Sequence, residues 1–313
     1  MKILITGVHG FVGSNLVQAL KQEHTIYGLD IIAPEKEGVV KTYSWEDLDK
    51  GAVPAVDAII HLAGKAHDTK NQTDAEVYFK VNRDLTIMMF DYFCAHSSIK
   101  KFIFFSTAKA AADKVEGVLT EDVVPAPVGP YGESKIAAER YILGHTEITD
   151  NIEKQVYIFR PCMIHGPGNK GNLNLLYNVV KKGIPWPLGA FENRRTFTSI
   201  ENISFAVNGV LTKDVPSGIY NMGDDEALST NELIEEICRS LGKKAHIWHL
   251  PKGLMNGIAK IGDVLHLPLN SERLRKLTEN YVSSNAKIKA ALGVERMPVD
   301  AREGLKVTLE SFR

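Results

Sequence analysis

With 313 residues, 44% of them hydrophobic and 24% charged, the chain has ample material for a buried core and fits one large domain or two smaller ones. Its 37 basic and 38 acidic residues leave a formal charge of −1, so nothing in the electrostatics points to a nucleic-acid partner. Cys94, Cys162 and Cys238 follow neither a metal-ligand nor a disulfide spacing; they read as reduced thiols of a cytoplasmic protein, and no metal site is expected.

The opening apolar run is broken by Gly7, His9 and Gly10 before it reaches signal-peptide length. No later run reaches the about 18 apolar residues of a membrane span, so no membrane insertion is expected. Short continuous apolar runs at 1–6, 25–32, 58–63, 101–106 and 155–160 read as strands buried on both faces of a parallel sheet. Helical periodicity fills the intervals at 11–21, 75–96 and 131–144. Strand–helix alternation of this kind predicts a doubly wound α/β sheet.

After about Gly166 the texture changes to Gly-, Pro- and Asn-rich loops around a short helix at 173–182, then a further strand at 218–223. From Leu228 onward, helical pieces are interrupted by Pro251, Pro268 and Pro298. The expected organisation is a dinucleotide-binding domain over 1–165, with 194–223 returning to it. Residues 166–193 and 224–313 would form a smaller, mostly helical substrate region.

Gly7, Gly10 and Gly13 stand in GVHGFVG, directly after the first strand and opening the first helix. Glycine suits these positions because the chain turns tightly and its N–H groups must approach a pyrophosphate with no Cβ in the way. Phe11 and Val12 complete the cofactor-binding segment. Asp30 ends the second strand-like run, where an acid accepts the ribose hydroxyls of NAD and repels a 2′-phosphate. No Lys or Arg follows before Lys36 and none lies inside the glycine loop, which favours NAD over NADP.

Tyr131 and Lys135 lie four apart in PYGESK and share a helix face, with Thr107 at the end of the fourth strand. A phenol with its ordinary pKa near about 10 is a poor base at neutral pH. A neighbouring ammonium stabilises the phenolate, and a hydroxyl from Thr107 holds the reacting oxygen in line.

These motifs, together with HLAG at 61–64, Asn82, Ser106 and RPCMIHGPG at 160–168, resemble the extended short-chain dehydrogenase/reductases, the NAD-dependent epimerase/dehydratase family, with its Rossmann-type fold. The resemblance covers essentially the whole chain. It implies that Tyr131 is the catalytic acid/base, that Lys135 binds the nicotinamide ribose, and that Thr107 takes the Ser/Thr role. It also implies that Leu62, Ala63, Gly64 and Asn82 line the cofactor cleft, and that helices 75–96 and 131–144 build a homodimer.

Within the family, the sequence is most similar to UDP-sugar 4-epimerases and 4-keto-sugar reductases of surface-polysaccharide synthesis. By that resemblance Asn172 and Arg195, with Arg273 as a second arginine, would hold the diphosphate of a nucleotide-sugar. Two departures are visible. Ala108 and Lys109 replace the Asp–Glu pair of sugar 4,6-dehydratases, which argues against dehydration and puts Lys109 near the sugar. Ala110, Ala111 and Ala112 stand where many epimerases have Val-Tyr-Gly, leaving room beside the substrate or a neighbour to fill it. His61 is expected in the core, His165 at the substrate mouth and His67 in a loop. The activities left open are C4 epimerisation, 4-keto-6-deoxy-sugar reduction, and non-catalytic NAD binding.

Overall fold

The computed structural model describes residues 1–66, 74–149, 153–169, 171–265, 267 and 269–313; His67 and Pro268 lie outside them. Seven strands form one parallel sheet: β1 (Lys2–Thr6), β2 (Thr25–Leu29), β3 (Val39–Tyr43), β4 (Ala58–His61), β5 (Lys101–Phe105), β6 (Gln155–Pro161) and β7 (Gly218–Met222). Their order across the sheet is β7-β6-β5-β4-β1-β2-β3. The chain therefore winds outward from β1 to β3 and then crosses to β4 on the other side of β1, creating a switch point at the carboxyl ends of β1 and β4.

Continuous apolar runs are explained by the side chains' alternation. Ile3 and Ile5 enter one core while Leu4 enters the opposite one; Ile103 and Phe105 likewise oppose Phe102 and Phe104. The first core is closed by helices Phe11–Leu20, Ile200–Thr212 and Ala286–Leu292. The second is closed by Leu85–Ala95 and Pro130–Leu143. A third core, around Leu173, Tyr177, Trp186, Leu233, Ile237, Met255 and Leu305, is shared by helix Asn172–Lys181 and the C-terminal helices.

The helix expected at 75–96 contains a π-helical turn at Lys80–Asp84, between Ala75–Phe79 and Leu85–Ala95. A π turn inserts one extra residue and rotates the side chains after it, and here it surrounds Asn82. Of the apolar residues on the two helices expected at the dimer face, Met89, Phe93, Ile136 and Ile142 lie inside the chain's own core. Met88 is exposed, and Tyr141 ties the helices together by donating to Asp91 Oδ1 at 2.6 Å.

Candidate active site

The glycine loop is built by packing as much as by turning. Gly7 has φ +67°, a region that disfavours side chains. A Cβ on Gly13 would sit 2.4 Å from Gly7 O and 2.9 Å from Val8 Cα, so helix and loop touch backbone to backbone. No side chain caps the helix that starts at Phe11, which leaves its first N–H groups and the positive end of its dipole directed outward. Asp30 follows β2 directly. Its carboxylate accepts from His9 N–H at 3.0 Å and from Ile31 N–H at 2.7 Å, beside the loop. Lys36, distant in sequence, folds back to donate to Ser14 Oγ at 2.7 Å, so chain separation does not remove it from the Asp30 end.

Across the switch point, Thr6 Oγ accepts from the N–H groups of Leu62 (3.1 Å) and Ala63 (3.0 Å), fixing the HLAG segment over β1. His61 is fully buried behind it. Its proton is assigned by its neighbours: Thr86 Oγ donates to the Asn82 carbonyl at 2.7 Å, so it accepts from His61 Nε2 at 3.0 Å. Nδ1 then accepts from Thr6 at 2.8 Å. Burial, with Lys135 adding repulsion, pushes its pKa down to about 3, so it is a neutral structural residue.

Asn82 is held by Lys65, which gives it an N–H at 2.7 Å and a carbonyl at 3.0 Å, and by Ser134 Oγ at 3.0 Å. A Cβ on Gly64 would lie 3.0 Å from Asn82 Oδ1 and 3.1 Å from Lys135 Nζ. Gly64, Asn82 and Lys135 therefore converge on one spot. The uncapped helix, the glycine cradle and this cluster suit a dinucleotide lying across the switch point.

Thr107 ends β5 and caps the short helix Ala108–Ala111, accepting from Lys109 N–H at 3.3 Å. Its hydroxyl is hydrogen-bonded to Tyr131, which stands in the first turn of helix Pro130–Leu143 with its ring edge-on to Tyr78. Burial pushes the Tyr131 phenol up, the bond to Thr107 opposes it, and Tyr78 adds to the rise. Lys135 donates to Phe105 O at 2.9 Å rather than to the phenol. Burial holds it at about 8, with Glu139 pulling the other way. Among protein groups, then, Thr107 eases the ionisation of Tyr131, while Lys135 faces Asn82 and Gly64.

Glu139, one turn beyond Lys135 on this helix, meets Arg160 on β6, and motif reading gives neither of them a role. Glu139 and Arg160 form a fully buried ion pair, Nη2 to Oε2 at 2.5 Å and Nε to both carboxylate oxygens at 3.1 Å; Ser106 Oγ also donates to Glu139.

On the substrate side, Asn172 is exposed at the first turn of helix Asn172–Lys181. Arg195 donates through Nη1 to the Lys276 carbonyl and is electrostatically coupled to Glu279, Cys162 and Tyr281. Lys109 pairs with Asp113 at 2.8 Å and lies 4.9 Å from the Tyr281 ring centre. Arg273 is exposed on helix Ser271–Thr278, and it is Arg275 that reaches Asp113 (3.4 Å) and Glu279 (3.1 Å). The structure thus gathers Lys109, Arg195 and Arg275 near Asp113, Glu279 and Tyr281.

Tyr281 is also the neighbour that fills the room beside the alanines: it packs on Ala108, Ala111 and Ala112, and its hydroxyl donates to Ala112 O at 2.9 Å. His165 is not at a mouth. It is buried between Thr308 Oγ (2.8 Å) and Asp224 Oδ2 (3.4 Å). Its strand, Met163–His165, pairs with Phe197–Ser199 beneath helix Ala301–Glu310, which draws the ring inward.

The sequence model of the family described as NAD dependent epimerase/dehydratase matches residues 3–223. The chain belongs to that family. A UDP-glucose 4-epimerase of Vibrio cholerae is 30% identical over 266 residues, 80% of this chain and 78% of that one. A GDP-6-deoxy-D-mannose reductase of Pseudomonas aeruginosa is 26% identical, over 75% of this chain and 78% of its own. Among solved structures, a UDP-glucuronic acid 4-epimerase from Bacillus cereus in complex with NAD superposes with a TM-score of 0.75 at 22% identity, covering 100% of this chain and 98% of that one, so the fold is shared. The family match ends at residue 223, before Arg275 and Tyr281, which is why motif comparison does not point to them.

Proposed function

We propose that this family member is an NAD-dependent enzyme acting at C4 of a nucleotide-linked hexose or hexosamine, UDP being the favoured nucleotide, as a 4-epimerase. The observation that carries the reading is the hydrogen-bonded Thr107–Tyr131 pair at the carboxyl end of β5, beside the cluster of Lys135, Asn82 and Gly64. Gly7, Gly10, Phe11, Val12 and Gly13 would hold the pyrophosphate of NAD and Asp30 the adenosine ribose; Leu62, Ala63, Gly64, Asn82, Tyr131 and Lys135 would line the nicotinamide end. NAD, when bound, supplies the acceptor and donor of hydride at C4.

Tyr131 takes the proton of the C4 hydroxyl as hydride leaves the same carbon, and the oxygen becomes a ketone. Thr107 stabilises the phenolate by donating to it; once Tyr131 holds the proton, the same hydroxyl can turn its single hydrogen to the ketone oxygen and keep it in line. Lys135, charged below about pH 8, adds positive potential at the ribose end. In the reverse step, on the opposite face of the ketone, Tyr131 would give the proton back to the C4 oxygen, which would complete epimerisation. Asn172 and Arg195, with Arg273 or its neighbour Arg275 as the second arginine, would bind the diphosphate and Lys109 would border the sugar, with 166–193 and 224–313 forming the substrate region. We also propose, on the family resemblance alone, a cytoplasmic homodimer paired through helices 75–96 and 131–144, which light scattering at micromolar concentration tests.

The deciding experiment is NMR of purified protein with UDP-GlcNAc and with UDP-glucose, no cofactor added. Appearance of the 4-epimer is the expected result. If neither substrate turns over and a 4-keto-6-deoxy sugar instead oxidises NADH, the enzyme is a reductase, a reading that the similarity to a GDP-6-deoxy-D-mannose reductase keeps in view. Tyr131→Phe should abolish turnover and spare NAD binding. No turnover in either assay would leave a non-catalytic NAD-binding protein.

A further inference from the structure

Helix Lys252–Leu265 buries only part of its apolar surface. Met255, Ala259 and Gly262 face the third core. Beside them, at the spacing of a single helix face, run Leu254, Ile258, Ile261 and Leu265, which are between 38% and 63% exposed. Trp248 is 54% exposed in the segment leading into the helix. Scattered exposed aliphatic residues need no explanation, but four consecutive positions of one ridge form a contiguous stripe, and the exposed tryptophan precedes the helix closely in the chain.

The surroundings of the ridge are basic. Between residues 243 and 276 the chain carries seven Lys or Arg against two Asp or Glu, in a protein whose net charge is −1. Glu272 is paired with Lys276, and Asp263 accepts from the N–H and hydroxyl of Ser271; with both acids counted as charged, the stretch still carries a net charge of +5. Helix Ser271–Thr278, packed against this one, adds exposed Arg273. A two-fold contact between copies would set this basic patch against itself, so charge disfavours a second copy as the occupant. At about 1.5 Å per residue the helix is about 21 Å long, too short to cross a bilayer, and among the described residues no helix is long and apolar enough to do so. An apolar ridge, a tryptophan and a lysine-rich border are the features of a helix lying in a membrane interface.

We infer that this face docks the protein on an anionic lipid bilayer, with Leu254, Ile258, Ile261 and Leu265 entering the headgroup region and the surrounding lysines meeting lipid charge. The inference does not depend on the proposed reaction, because docking is read without turnover.

The test is co-sedimentation of the full-length protein with vesicles of phosphatidylcholine and phosphatidylglycerol in equal parts, and with phosphatidylcholine alone. Binding to the first, weak binding to the second and release by salt are expected. Ile258→Ser/Ile261→Ser should weaken partitioning by about tenfold, with folding checked by circular dichroism and NAD affinity unchanged. Lys243→Glu/Lys244→Glu/Lys260→Glu, which leaves the ridge intact, should remove the preference for anionic vesicles. Wild-type protein remaining in the supernatant with both vesicles, or equal binding by the serine variant, overturns the proposal. So does a concentration-dependent dimer that the serine variant abolishes in the absence of vesicle binding, or capture of an acidic protein in place of lipid.

Discussion

Glu139 stands one helical turn beyond Lys135 and meets Arg160 from β6 at 2.5 Å, both side chains buried. The pair lies beneath the face that carries Tyr131 and Lys135: the same carboxylate takes a hydrogen bond from Ser106 and holds the Lys135 ammonium up against the effect of burial. A buried ion pair is seldom a large net source of stability, but removing one partner strands the other. Arg160 Nη1 already has no hydrogen-bond partner among the described residues. Glu139→Gln should therefore lower the unfolding free energy by about 3–5 kcal/mol, read from denaturant midpoints. It should also move the Lys135 titration to lower pH, while the paired change Glu139→Leu/Arg160→Met should recover much of the lost stability.

Lys135 itself costs stability. Held at about 8 when folded, against an ordinary 10.5, it binds fewer protons in the native state than in the unfolded chain between those two values. Stability should rise with pH across that window, and the full penalty, up to about 3 kcal/mol, is present below it. Lys135→Met should flatten the pH dependence of urea unfolding between these limits and abolish turnover. A wild-type curve already flat there would contradict the assignment.

The opposite end of the pH scale belongs to His61. Its folded pKa near 3 lies below the ordinary 6.5, so the unfolded state takes up a proton that the native state refuses. Stability should fall as pH drops from about 6.5 toward 3, by about 4–5 kcal/mol at most. His61→Gln, which keeps one donor for Thr86 and one acceptor for Thr6, should lessen that acid sensitivity with little change at pH 7.

Gly13→Ala tests the cofactor cradle. The new methyl would lie 2.4 Å from Gly7 O, a backbone atom that cannot swing aside. A stability loss of about 1–3 kcal/mol is expected, together with NAD affinity weakened by more than about tenfold in calorimetric titration. Unchanged affinity would mean that the pyrophosphate lies elsewhere.

The strands legible as apolar runs are those in the middle of the sheet, where both faces are covered and alternation disappears. Val39–Tyr43 escapes such reading because it is the edge strand, partly exposed and containing Lys41. The glycine loop and the Thr–Tyr–Lys set are visible because their residues are bound by short, fixed spacings. Glu139 looks like an ordinary surface acid in a helix, yet its spacing of four from Lys135 and eight from Tyr131 was an available signal. Arg275 and Tyr281 could not be found this way: Tyr281 meets Ala112 across 169 positions, and Arg275 meets Asp113 across 162.

Helix Ala286–Leu292 returns near the end of the chain to close the first core, with Ile288 and Leu292 fully or nearly fully buried there and Leu292 lying against Gly209. The two halves are therefore stitched together like a book bound at both edges. A fragment cut after residue 223, where the family match ends, would leave a hydrophobic slot beside Val210 and Val215 open to water. Swapping the substrate region of a relative into this chain requires carrying residues 286–292 with the nucleotide-binding half, and a graft that ignores this seam exchanges a specificity for an insoluble product.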